Sequence, residues 1–435
     1  MSYQRLVLGL AACASGLVLW AGALAQPVPL PPEGTNPARP ATPRAPAAPA
    51  NEVVQTFPSN DAMQTAWKVH WGARRGNGLY IEDAWFKRGP NDDWMQVLGD
   101  ARLAEAFVPY HSGTPRFWDV SYNFPLCVVS REDAGPYGKL LYAPDQHGRG
   151  KNKDNSPAVL KPYVVQEIRD RGIAWKSAAG VRRGQTLVLW GTLEAANYRY
   201  IIEFGFQDDG AVTFRVGSTG HNYGSREWDG HMHNGLWRID VNVDGPDHNS
   251  VLLMEHKEPL SLDSKEQTKA RTEHTPFNGG KEGWADWDPN KFTMIRVINE
   301  RRKGIRGEPV GYDLMPLRMG NSRHFGAKDE ECTQHDFWVT RNRMGEMDYR
   351  QVPKYVTRGE SIMDTDVVLW YSTPAHHEPR SEDGEMKGSQ FTGCTPVMWA
   401  GFDLKPRNVF DRTPFFPYDT VKSAPGNIKK RGPGG

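Results

Sequence analysis

Two segments of this 435-residue chain leave little freedom in how they can fold. In Tyr198–Phe206 the even positions are Tyr198, Tyr200, Ile202, Phe204 and Phe206, while the odd ones are Arg199, Ile201, Glu203 and Gly205. A repeat of two places the first set on one face of an extended strand, and that face is aromatic and apolar. Tyr198 therefore points inward, where periodicity alone reads it as a packed core tyrosine. In His231–Asp244 the odd set is His231, His233, Gly235, Trp237, Ile239, Val241 and Val243, so both histidines share the apolar face. Their side chains stand about 6.6 Å apart along the strand, near enough for both rings to reach one ion. Neutral imidazole suits copper, although an HxH pair by itself is more often structural. A third ligand is offered by His376-His377, which follows a predicted strand and is expected in a loop, where ligands commonly sit.

The same alternation recurs in Leu187–Trp190, Val212–Val216, Leu236–Val243, Ser250–Met254, Phe292–Val297, Asp336–Thr340 and Val367–Tyr371. Asp208-Asp209-Gly210 and Asp244-Gly245-Pro246 supply turns between such segments. The pattern predicts a mainly β protein, a large β-sandwich with few short helices. Trp85–Val97 and Ala101–Phe107 are the best helix candidates. With no internal repeat and no second linker, residues 51–420 read as one domain, followed by a flexible tail over 421–435.

The N-terminus indicates where the chain works. Residues 1–25 carry Arg5, then an apolar run, then Ala23-Leu24-Ala25, the layout of a cleaved secretory signal peptide. The expected product is exported, periplasmic or secreted, with no membrane span after signal removal. Residues 26–50 are rich in Pro and Ala and read as an extended linker. The chain holds 53 Lys+Arg against 52 Asp+Glu, and losing Arg5 makes the two equal. That neutral balance gives no footprint for nucleic acid. Cys127, Cys332 and Cys394 remain after the signal, enough for one disulfide, and Cys332–Cys394 is the expected pair.

Read together, five stretches resemble the catalytic domain of the copper-containing, quinone-dependent primary amine oxidases, over roughly residues 80–418. They are LAEAFVPY (103–110), CVVSREDAG (127–135), AANYRYIIEFGFQDDG (195–210), HMHNGLWRIDVNVDG (231–245) and the run from DFWVTRNRMGE to GFDLKPRNVFDRTP (336–414). The resemblance implies that Tyr198 is converted to 2,4,5-trihydroxyphenylalanine quinone (topaquinone), that Asn197 orients it and that Tyr110 hydrogen-bonds it. It implies copper on His231, His233 and His377, with His376 an unligated neighbour. Asp119 becomes the catalytic base, taking a proton from a substrate carbon while the cofactor accepts the electrons. Asp240, Asn242 and Asp366 fall where the family has a second, calcium-like site of oxygen ligands.

The implied reaction takes a primary amine and dioxygen to aldehyde, ammonia and hydrogen peroxide, in a homodimer. Several positions depart from the family pattern. Arg199 replaces an acidic residue, Glu194 a threonine and Asn242 a carboxylate. A segment after Asp119 is missing, and with it the usual disulfide partner of Cys127, which leaves Cys127 as a free, buried thiol. The family's smaller preceding domains are also absent. Three other readings are a copper-binding scaffold without a quinone, one subunit of a two-chain oxidase whose partner subunit supplies the missing domains, and an unrelated carbohydrate-binding sandwich.

Overall fold

The computed structural model describes residues 51–57, 64–145, 159–178, 180–221, 228–257, 271–317, 328–387, 390–411 and 413–415. The expected signal peptide, linker and tail lie outside these residues. Among them, two large antiparallel sheets face one another, as a mainly β sandwich requires. The nine-stranded sheet runs in the order Glu52–Thr56, Ala66–Arg74, Gly78–Lys87, Met95–Pro109, His231–Val241, Val367–His377, Phe337–Arg341 and Gly283–Ala285, with Arg116–Trp118 paired to Met95–Pro109. The eleven-stranded sheet centres on Cys394–Arg407, Val212–His221, Tyr198–Gln207, Gly180–Ala195 and Leu160–Ser177.

Trp237 wedges the two sheets together. It is fully buried and meets Phe204, Phe214 and Phe402 edge-on, at ring separations of 5.7, 5.8 and 5.9 Å. Its Nε1 donates to Thr373 Oγ1 at 3.0 Å, so the indole buries no unpaired donor. Close beside it the sheets come near enough that only glycine fits at position 235, where a Cβ would lie 2.7 Å from Val216 Cγ1.

Four expectations need correction. Trp85–Val97 and Ala101–Phe107 are not helices: they belong to the strands Gly78–Lys87 and Met95–Pro109 and the turn between them. Most of Met95–Pro109 is buried on both faces, which removes the alternation that marks a half-buried strand. The strand His231–Val241 is likewise buried at every position, because Leu236, Trp338, Tyr349, Val352 and Trp370 form a second core on its outer side. His376 and His377 lie not in a loop but at the end of the strand Val367–His377. Finally, Cys127, Cys332 and Cys394 are all free: Cys332 is fully buried and Cys394 exposed, so the pair cannot bridge. Cys127 is free as expected, though only half-buried.

Trp237→Ala should lower the unfolding free energy by about 3–5 kcal/mol, the usual cost of emptying a large aromatic site in a core. Urea titration reads this, and a loss below about 1 kcal/mol would mean that the wedge does not hold the sheets.

Candidate metal centre and active site

The antiparallel pairing of His231–Val241 with Val367–His377 sets His231 opposite His377. With alternation, His231, His233 and His377 all turn into the space between the sheets. There one nitrogen from each lies within 4.8 Å of the others. His377 Nδ1 is 3.2 Å from His231 Nε2. Tyr198 enters from the opposite sheet, its hydroxyl 3.0 Å from His231 Nε2 and 3.5 Å from His377 Nδ1. Its position is set by register. Tyr198 pairs with Ala195 on one side and Gly220 on the other. A Cβ at Gly220, where φ is +131°, would lie 2.8 Å from Tyr198 Cα.

The far nitrogen of each imidazole is held by an acceptor. His231 Nδ1 donates to the Asp229 carbonyl at 2.9 Å, and His377 Nε2 to Asp383 Oδ2 at 2.9 Å. Tyr200 donates its proton to Asp119 Oδ2 at 2.5 Å, which leaves its oxygen to accept from His233 Nδ1 at 3.2 Å. Each interaction fixes a tautomer whose lone pair faces the centre, as metal-binding histidines require. The lone pair of His233 Nε2 has no hydrogen-bond partner among the described residues. Burial pushes His231 down to about 4, against the Asp229 carbonyl, and holds His233 well below the ordinary imidazole range. Three pre-oriented imidazole nitrogens, one of them an orphaned buried lone pair, fit a copper ion.

Asp119 is brought to this centre through Tyr200. Burial raises its carboxyl to about 7, opposed by the Tyr200 hydrogen bond and reinforced by nearby Glu105. Glu105 was not singled out in the sequence, yet it organises this segment. Its Oε1 accepts from the amides of Val120 at 2.7 Å and Ala106 at 2.9 Å, and its other oxygen accepts from the Ser121 hydroxyl. Tyr110 bridges to His231 and stacks on its ring at 4.4 Å, walling one side. Asn197 lies in the turn that leads into the Tyr198 strand. Its amide donates to the His221 carbonyl at 2.7 Å and so fastens the neighbouring strand. Tyr200 and Asp383 were also missed. Tyr200 lies two residues from Tyr198 on the same face, which could have flagged it; Asp383 and Glu105 carry no such signal.

Arg199 and Glu194 are cross-strand partners, with Arg199 Nη2 3.5 Å from Glu194 Oε1. Both are half exposed on the face of the sheet away from Tyr198, so the two departures match each other and leave the centre untouched.

Asp240, Asn242 and Asp366 come together some way along the same sheet. Asn342 Nδ2 donates to Asp240 Oδ2 at 2.8 Å and Asp366 Oδ2 at 3.1 Å. Asp240 Oδ1, Asn242 Oδ1 and Asp366 Oδ1 are buried without a partner among the described residues. Burial, and then Asp366, raise the Asp240 carboxyl well above its ordinary range. Uncompensated buried oxygens of this kind fit a hard cation.

The family profile described as "Copper amine oxidase, enzyme domain" matches residues 153–423. Copper amine oxidase 1 of Aspergillus niger is 28% identical over 73% of this chain and 53% of its own length. Histamine oxidase of Arthrobacter globiformis is 26% identical over 82% of this chain and 57% of its own. The chain thus spans little more than half the length of these relatives. The crystal structure of a copper-containing benzylamine oxidase from Hansenula polymorpha shares the fold, with a TM-score of 0.65 at 20% identity, covering 88% of this chain and 64% of that one.

Two variants separate ligand from support. His233→Ala should abolish stoichiometric copper binding, while Asp383→Asn should keep the stoichiometry and weaken affinity roughly 10–100-fold. Chelator competition measures both, and equal affinity in Asp383→Asn would show that the carboxylate does not orient His377.

Proposed function

The chain belongs to the copper amine oxidase family, and from that premise we propose that it oxidises a primary amine. The products are the aldehyde, ammonia and hydrogen peroxide, formed with water and dioxygen, using copper on His231, His233 and His377 and a quinone made from Tyr198. The observation that carries this reading is the Tyr198 hydroxyl, seated 3.0 Å from His231 Nε2 at the mouth of the histidine triad. When bound, copper promotes oxidation of the tyrosine ring by dioxygen, and the resulting quinone accepts electrons from the amine.

The chain's own residues do the rest. Asp119, ionised above about pH 7, is basic enough to take the proton from the substrate carbon next to nitrogen. Tyr200 aims that carboxylate by hydrogen bonding one of its oxygens, and Glu105 holds the backbone on which it stands. Tyr110 closes the site against water beside His231. The outward-facing Arg199–Glu194 pair favours this reading over a scaffold that binds copper without a quinone.

Amine-dependent peroxide release by the copper-loaded protein tests the proposal. Its rate should rise with pH through about 7, because the base works only when deprotonated and the folded carboxyl loses its proton there. Asp119→Asn should lower kcat by about 10²–10⁴-fold and flatten that rise. A wild type that binds copper yet releases no peroxide with any primary amine would leave the scaffold reading in its place.

The same proposal places calcium on Asp240, Asn242 and Asp366. Calcium should raise the melting temperature of the wild type and leave that of Asp240→Asn unchanged, as scanning calorimetry would show.

A further inference from the structure

We propose that His111, His376 and Glu378 form a second metal site, for a first-row divalent cation of borderline softness such as Cu²⁺ or Zn²⁺. It lies on the outer face of the sheet, across the strand ends that carry the buried triad. One donor atom from each of the three exposed side chains lies within 4.8 Å of the others. The proposal is independent of amine oxidation.

Register brings the three together. Tyr110 bridges to His231, and the His111 amide donates to the Gly230 carbonyl at 2.9 Å, so His111 sits alongside Gly230. On the other side His231 pairs with His377, and one step further along that antiparallel register Glu378 flanks Gly230 as well. His111 and Glu378 are thus two strands apart, with a glycine between them. That glycine is what lets them meet. A Cβ at position 230 would lie 2.7 Å from His111 Nδ1 and 3.0 Å from Glu378 Oε2. His376 joins from the same face, because residues two apart on a strand point the same way. Its ring lies 5.0 Å from that of His111.

The spacing suits an ion better than direct contact. His376 Nε2 and Glu378 Oε2 are 3.7 Å apart, too far for a hydrogen bond. Ligands at about 2.0–2.2 Å from a tetrahedral ion stand roughly 3.4 Å from one another. Two imidazoles and one carboxylate select zinc or copper over calcium or magnesium, which prefer all-oxygen shells. With the side chains exposed, water would complete the shell and the ion would exchange readily. This sets the site apart from the closed triad beneath it.

The test uses the full chain with its buried site first filled by one equivalent of copper, whose electron paramagnetic resonance spectrum is recorded. Zn²⁺ is then titrated by calorimetry. The wild type should take up a second equivalent. His111→Ala and Glu378→Gln should each weaken it by more than the roughly 10–100-fold that loss of an outer-shell partner costs. Gly230→Val should weaken it too, by filling the gap, and the copper spectrum should stay unchanged in the His111 and Glu378 variants. No second equivalent in the wild type, or unchanged zinc affinity in both variants, would overturn the site. A copper spectrum altered by His111→Ala would also overturn it, since the cluster would then be a support of the buried centre. None of these outcomes bears on whether Tyr198 becomes a quinone.

Discussion

Because His231 and His377 stand opposite one another in an antiparallel pair, three imidazoles from two strands converge on one point between the sheets. A slip of one residue in that register would turn His376 inward and His377 outward, since side chains alternate. The triad would then lose its third member, and Asp383 would have no imidazole to orient. The register is held by what surrounds it. Trp237, four residues beyond His233 and on the same face, anchors one side, while Leu236 and Trp370 pack into the other. With both faces buried, a one-residue slip would force the side chains fitted to one core into the other.

The centre concentrates polar groups where burial is costly. Three histidines, Tyr198, Tyr200, Asp119 and Glu105 are all buried. A buried polar atom without a partner costs about 1–3 kcal/mol, and the arrangement meets that cost almost everywhere with local acceptors: the Asp229 carbonyl, Asp383, and the chain from His233 through Tyr200 to Asp119. Of the three imidazoles, His233 alone has a ring nitrogen, Nε2, left without a partner among the described residues, and it marks where an ion would sit. The same burial keeps His231 and His233 neutral and Asp119 basic, so ligand readiness and base strength have one cause.

Much of this was legible in the sequence where side-chain type alternates along a strand. The aromatic set from Tyr198 to Phe206 gave the strand and its inward tyrosine directly, and the HxH spacing put two candidate ligands on one side. The reading failed where burial on both faces hides the period. LAEAFVPY contains good helix formers, but helix propensity is a weak preference that sheet packing overrides. The predicted strand stopped at Tyr371, so the end of Val367–His377 read as a loop. That part of the strand lies beyond its pairing with Phe337–Arg341 and needs only the His231 strand as a neighbour. Glu105 and Asp383 act through contacts distant in sequence or across an irregular turn, which no spacing rule encodes. The Cys332–Cys394 pairing failed because counting thiols carries no information about depth.

Tyr198 lies where a metal held by the three histidines would direct its oxidation. The most direct measurement is the mass of the proteolytic peptide containing Tyr198, after copper loading with and without air. The predicted result is a gain of two oxygen atoms and loss of two hydrogens at Tyr198, only with copper and dioxygen together, and none in His233→Ala. An unmodified Tyr198 in protein that holds copper stoichiometrically under air would contradict it.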